Sequence, residues 1–169
     1  PADPGEARQW LLDGAQLLLD GVAAAGPDTP IWTFTGPQPS SWWIRRRMHE
    51  VAVHRADAAI AVGVPFELAV DKAADALSEW LDLALPRAPL PDGRSVHLHA
   101  HDPGLGTDGE WLIRGDTYTH EHGKGDVAVR GSVLELLLVI TRRRAVADAD
   151  VEVLGDADLL SAWLETMKF

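Results

Sequence analysis

Glu50 and His54 stand four residues apart in the run Met48-His49-Glu50-Val51-Ala52-Val53-His54-Arg55-Ala56-Asp57. The run reads as helix, so the two side chains leave one face a single turn apart. A carboxylate oxygen and an imidazole nitrogen presented that way can grip one divalent metal ion. Two ligands do not complete a site, and a Glu and a His at this spacing also occur by chance on a solvated helix face. Three features favour the metal reading. Trp43, Arg47, Glu50, His54, Asp57 and Ala61 form one continuous stripe, opposed by an apolar one of Ile44, Met48, Val51, Ala58 and Val62. His49 lies roughly 100° round the helix from Glu50, where it could support a ligand or a domain contact. Arg47 and Arg55 flank the pair and could hold a substrate carboxylate in bidentate fashion.

A second concentration of histidines lies further on. Val96-His97-Leu98-His99-Ala100-His101 alternates strictly, which puts His97, His99 and His101 on one face of a strand, and His120 and His122 repeat the spacing. A metal-binding or pH-sensing cluster is one reading. The solvated outer face of a sheet is the preferred one, because no acidic or thiol ligand has a recognisable spacing with them. Arg114-Gly115-Asp116 reads as a turn, and Arg142 to Arg144 as a helix C-terminus that suits the dipole. Arg45 to Arg47 cover most of a helix circumference, so at least one of them must face a bundle or cleft. The chain carries no Gly-rich phosphate loop, nucleophile elbow or His-Glu-x-x-His motif.

These residues depend on elements that the hydrophobic pattern outlines. Glu6 to Ala25 reads as an amphipathic helix with Trp10, Leu11, Ala15, Leu18, Leu19 and Val22 at helical spacing, closed by Gly26-Pro27. A Pro- and Gly-rich linker, 29–39, precedes a second helix over about 40–62, with Ser40 or Ser41 as its N-cap. A third runs from about Pro65 to Leu85. The segment 85–93 holds three prolines and ends in Asp-Gly, a boundary signal that separates a helical part, 1–85, from a second part, 94–169. Beyond it the pattern predicts strands over 96–101, 110–114, 117–121 and 126–130, then a helix over 132–143 capped by Ser132. A strand at 151–153 and a helix from Asp156 to about Met167 complete the order β-β-β-β-α-β-α of a small α+β domain.

Composition sets further bounds. The chain has 169 residues, 46% of them hydrophobic and 24% charged, so it can bury a core. Its net charge of −11 argues against nonspecific binding to nucleic acid. The absence of cysteine excludes disulfides, thiolate–metal ligation and a thiol nucleophile from the chain itself. Any thiol chemistry must therefore use a small molecule. The apolar runs are too short to span a membrane and no signal peptide is visible, so the expected location is cytoplasmic and no membrane partner is expected. The chain opens on Pro1-Ala2-Asp3-Pro4-Gly5 and goes directly into a helix, which suggests a fragment with further helices upstream.

The segment Trp42-Trp43-x-x-Arg46-Arg47-x-His49-Glu50-x-x-x-His54-Arg55-x-Asp57 resembles the mycothiol-dependent maleylpyruvate isomerase family of actinobacteria. Those proteins join a DinB-like, metal-binding four-helix bundle to a sterol-carrier-like domain. The second domain's likeness rests on Glu110 to Arg114, Gly125 to Gly131 and Val151 to Asp156. The resemblance implies an α+β chain with a partial bundle at its N-terminal end. It implies a divalent metal, usually zinc, held by Glu50 and His54 with a third ligand from an earlier helix. It also implies mycothiol as co-substrate, a small electrophilic substrate, and Arg47, Arg55 and Trp43 as substrate-binding residues. The expected activity is that of an isomerase or thiol transferase. The alternative is a noncatalytic module whose sterol-carrier-like domain holds a small molecule or a partner. An incomplete bundle would also favour a homodimer that buries the apolar helix faces.

Overall fold

The computed structural model describes residues 3–167, which divide into two compact units, one ending at Val51 and one beginning at Ala52. The protein is an α+β mixture with a helical N-terminal part. No described helix is long and apolar enough to cross a membrane.

In the first unit, helix α1 spans Pro4–Ala25. It starts before the expected Glu6 because the Asp3 carboxylate accepts a hydrogen bond from the Glu6 amide at 3.0 Å, and Pro4 suits the first turn. Gly26, at φ +89°, ends the helix. Much of the apolar surface of α1 is open: Trp10 is 66% exposed and Leu17 72%. The expected linker contains a small ribbon in which β1 (Pro30–Ile31) pairs antiparallel with β2 (Gln38–Pro39). Helix α2 then runs over Trp42–Val62 and continues past Val51. Just ahead of it, the Ser40 hydroxyl donates to the Gly26 carbonyl at 2.7 Å.

In the second unit, helix α3 covers Val70–Ala84. The expected start at Pro65 is too early. Ala69 is extended, and residues 66 and 67 are engaged by Arg55, which lies over the Phe66 ring at 5.2 Å and reaches the Glu67 carbonyl at 3.4 Å. A five-stranded sheet follows: β3 (Ser95–Ala100), β4 (Glu110–Arg114), β5 (Thr117–Thr119), β6 (Val127–Gly131) and β7 (Val151–Gly155). Its spatial order is β5-β4-β3-β6-β7, with β3 and β6 parallel and every other neighbouring pair antiparallel. Gly115, at φ +57°, turns the chain between β4 and β5, as the Arg-Gly-Asp reading anticipates. Helix α4 (Val133–Ile140) connects β6 to β7, and α5 (Ala157–Thr166) follows β7.

Strand alternation sets the two faces of this sheet. Val96, Leu98, Trp111, Ile113, Val127 and Val129 are fully buried and form one core with the apolar sides of α3, α4 and α5. Helix α4 stops earlier than the expected Arg143. Thr141 forms its cap, and its hydroxyl donates to the Leu137 carbonyl at 2.6 Å. Arg142 then takes φ +61°, so Arg142 to Arg144 lie beyond the helix rather than in its last turn. Arg144 pairs with Glu135, and Arg143 pairs with Asp57 at 3.1 Å.

Two carboxylates fasten the start of β3 to the neighbouring β6 and to the end of β7. Asp126 accepts from both the hydroxyl and the amide of Ser95 at 2.8 Å, and those bonds hold its carboxyl below the ordinary value. Asp156 caps α5 through the Leu159 amide at 3.0 Å and pairs with Arg94, so its carboxyl is lowered as well. A carboxyl lowered in the folded state contributes stability above its unfolded value near 4, and that contribution is lost as the pH falls through the lower folded value. Thermal melts between pH 6 and pH 3 should therefore show a falling midpoint, and Asp126→Asn should flatten the fall. An identical slope in wild type and variant would remove Asp126 from the account.

Candidate functional site

The residues picked out by helical spacing all lie on α2. Glu50 is ion-paired through both oxygens, with Arg46 Nη2 at 3.3 Å and with Arg47. His54 Nδ1 is 3.0 Å from Asp57 Oδ2. Burial pushes the Asp57 carboxyl up, but hydrogen bonds from Arg143 and His54 outweigh it and hold it below the ordinary value. Asp57 therefore stays ionised and orients the His54 ring, an arrangement that leaves Nε2 as the outward ligand atom. Trp43 stacks edge-on to Trp42 at 4.9 Å and to Phe34 at 6.1 Å. His49 is buried. His54 fits a metal-ligand role through its oriented ring. Both Glu50 oxygens are held by arginines, and among the described residues no third ligand gathers with Glu50 and His54.

Among the described residues, one group of at least three potential ligands converges, and it lies in the sheet. The ligand atoms of His97, His99, Glu110 and His122 are all within 4.8 Å of one another. Strand pairing sets three of them. His99 on β3 is directly opposite Glu110 on β4, and His97 is the diagonal neighbour on the same face. His97 Nε2 lies 2.5 Å from Glu110 Oε2, while His99 Nδ1 and His122 Nδ1 lie 2.8 and 3.1 Å from Oε1. The three imidazoles stand edge to face, with ring centroids 5.3 to 6.0 Å apart.

The expected solvated histidine face is corrected here, since His97 is only 2% exposed. The segment between β5 and β6 crosses that face. A Cβ on Gly125 would meet the His97 amide at 2.9 Å, and one on Gly123 would press on the Leu112 side chain. Glycine at these positions lets the segment lie flat over β4 and β3, and it carries His122 to the carboxylate. His120 holds the backbone of Glu110 in place by donating from Nδ1 to its main-chain carbonyl at 2.9 Å. Glu110 is thus the partner that the sequence reading missed, whereas His122 already stood there among the histidines of a possible cluster. The available signal was the acidic residue opening β4 together with His122-Gly123-Lys124-Gly125.

The electrostatics leave Glu110 and His97 in ligand-ready form. Burial pushes the Glu110 carboxyl up, but hydrogen bonds from His122 and His97 and the charge of His99 outweigh it, so the carboxylate is ionised. Burial pushes His97 down further than Glu110 raises it, so the ring is neutral near pH 7. Beside the cluster is a groove of about 520 Å³ lined by His99, His101, Arg130, Asp150 and Glu152.

Comparison with known proteins places both parts of the chain. Residues 1–59 match the mycothiol maleylpyruvate isomerase N-terminal domain, and residues 71–162 match the MDMPI C-terminal domain. No curated protein gives a match. Among solved structures, the chain is similar to Sterol Carrier Protein 2 Like 2 from Aedes aegypti, with 16% identity and a TM-score of 0.40, over 57% of this chain and 98% of that one.

Proposed function

We propose that this chain, which belongs to the mycothiol maleylpyruvate isomerase family, serves a metal-dependent, mycothiol-using isomerase or thiol transferase acting on a small electrophile. The observation that carries the reading is that both family domains match one chain, in order. The lack of cysteine agrees with it, because the reacting thiol must then come from a small molecule.

The proposed step is addition of a thiolate to the activated carbon–carbon double bond of a cis-configured, maleylpyruvate-like acid. Rotation about the resulting single bond and elimination of the same thiolate give the trans isomer with no net change in atoms or electrons. A divalent ion with an open position, zinc in our reading, supplies the means to hold a thiol as thiolate near neutral pH. Glu50 and His54 are the residues proposed to hold that ion, with Asp57 keeping the His54 ring oriented. Arg47 and Arg55 carry fixed positive charge suited to a substrate carboxylate, and Trp43 offers an aromatic wall. Arg55 already rests on Phe66, which limits the rotamer entropy it would lose on binding an anion. We place the activity in the cytoplasm, and we assign self-association to the open apolar residues of α1, which gel filtration tests.

The test of function is conversion of a cis-configured unsaturated keto acid in the presence of zinc and mycothiol. The rate should depend on the thiol and fall by at least about 100-fold with His54→Ala, since removing a metal ligand costs more than removing a group behind it. Turnover without thiol, or turnover unchanged in His54→Ala, overturns the reading.

A further inference from the structure

We propose that His97, His99, Glu110 and His122 form a binding site for a first-row divalent transition metal, with zinc as the best match, in the sheet unit and built from none of the α2 residues. This goes beyond the function proposed above, which places its metal on Glu50 and His54.

The donor set selects the ion. Three imidazoles and one carboxylate, with no thiolate, suit zinc, cobalt or nickel rather than calcium or magnesium, which take oxygen ligands, or copper(I), which prefers sulfur. Geometry supports the assignment. A tetrahedral zinc with bonds near 2.0–2.1 Å keeps its ligand atoms about 3.4 Å apart. All four ligand atoms here already lie within 4.8 Å of one another, so adjustments of about 1 Å or less seat the ion.

Three of the ligands stand on paired strands and need no backbone movement. Residues His97 and His99 belong to the central strand, bonded on both sides, and Glu110 is locked opposite in register. Such placement limits the reorganisation that binding requires. The fourth ligand provides a way in, since the His122 side chain is 68% exposed on the crossing segment. The same atoms also show imperfect satisfaction by the protein alone. His99 Nδ1 is buried and sits 2.8 Å from Glu110 Oε1, but it misses the alignment of a good hydrogen bond. A buried ring nitrogen so placed against a carboxylate is better satisfied by an ion that both groups ligate.

The bound ion would staple the crossing segment to β3 and β4, so its effect is read as stability as well as affinity. The experiment titrates the chelator-treated chain with Co²⁺ and then Zn²⁺, following the visible absorption of tetrahedral cobalt and the thermal midpoint. In the Glu50→Ala/His54→Ala background, which removes the α2 ligands, one equivalent of cobalt should give tetrahedral bands that zinc bleaches. Metal at about 100 times its dissociation constant should raise the midpoint by about 5–10 °C. The Glu50→Ala/His54→Ala variant should keep both signals. The His99→Ala/His122→Ala variant, whose side chains lie outside the apolar core, should keep its circular dichroism but lose at least about 10-fold in affinity. Absence of tetrahedral bands, their loss in the α2 variant, or wild-type binding by the strand variant overturns the site. Loss of isomerase turnover with retention of this metal would separate failure of the site from failure of the proposed function.

Discussion

Trp111→Ala is expected to lower the unfolding free energy by about 3–5 kcal/mol, the usual cost of emptying a large buried aromatic position. Trp111 is completely buried, and in the β3–β4 register it lies opposite Leu98. Its indole N–H donates to the Ser78 hydroxyl at 2.9 Å, which ties strand β4 to helix α3. Alanine removes the ring contacts and that bond together. Trp111→Phe retains most of the packing and should lose only about 1–2 kcal/mol, mainly through the cavity and the freed Ser78 hydroxyl. Equilibrium unfolding in urea distinguishes the two variants. Since small domains are stable by about 5–15 kcal/mol, the alanine variant should be close to unfolding at 37 °C. A loss below about 1 kcal/mol for alanine would mean that the core under β4 relaxes around the gap.

The legibility of this fold follows the range of the interactions that decide it. Val96 to His101 announced a strand because alternation is a local property, and β3 occupies nearly those residues. The switch from helical to strand period also gave the element order of the sheet unit correctly. Helix ends were read less well wherever a distant partner intervenes. Residues 66 and 67 carry Arg55 instead of opening α3, and Arg143 leaves the expected end of α4 to meet Asp57. The same distinction separates the two groups of candidate ligands. Glu50 and His54 could be paired by counting along one helix. The pairing of His99 with Glu110 depends on an antiparallel register, and His122 arrives on a segment whose path is permitted by Gly123 and Gly125. Spacing along the chain contains neither fact, so the histidines looked like a solvated face without an acidic partner.

Glu110 carries the second large effect, because it accepts from both the buried His97 and the more exposed His122. With metal chelated at pH 7, Glu110→Ala should cost about 2–4 kcal/mol, since His97 Nε2 is left buried without its acceptor. Glu110→Gln keeps one carbonyl oxygen for one imidazole and should cost about half as much. The pH dependence has a defined sign. The Glu110 carboxyl is lowered in the folded protein, so its contribution is full above the ordinary glutamate value and is lost as the pH falls through the lower one. His97 is lowered too. Its unfolded form takes up a proton near pH 6.5 while the folded ring stays neutral, so wild type already loses stability below that pH. The advantage of wild type over Glu110→Ala should therefore persist to about pH 4 and disappear in stronger acid. Urea unfolding at pH 7, 5 and 3 measures it. A difference that is unchanged at pH 3 would assign the cost to lost packing rather than to the carboxylate, and equal losses for alanine and glutamine would deny Glu110 its role as acceptor.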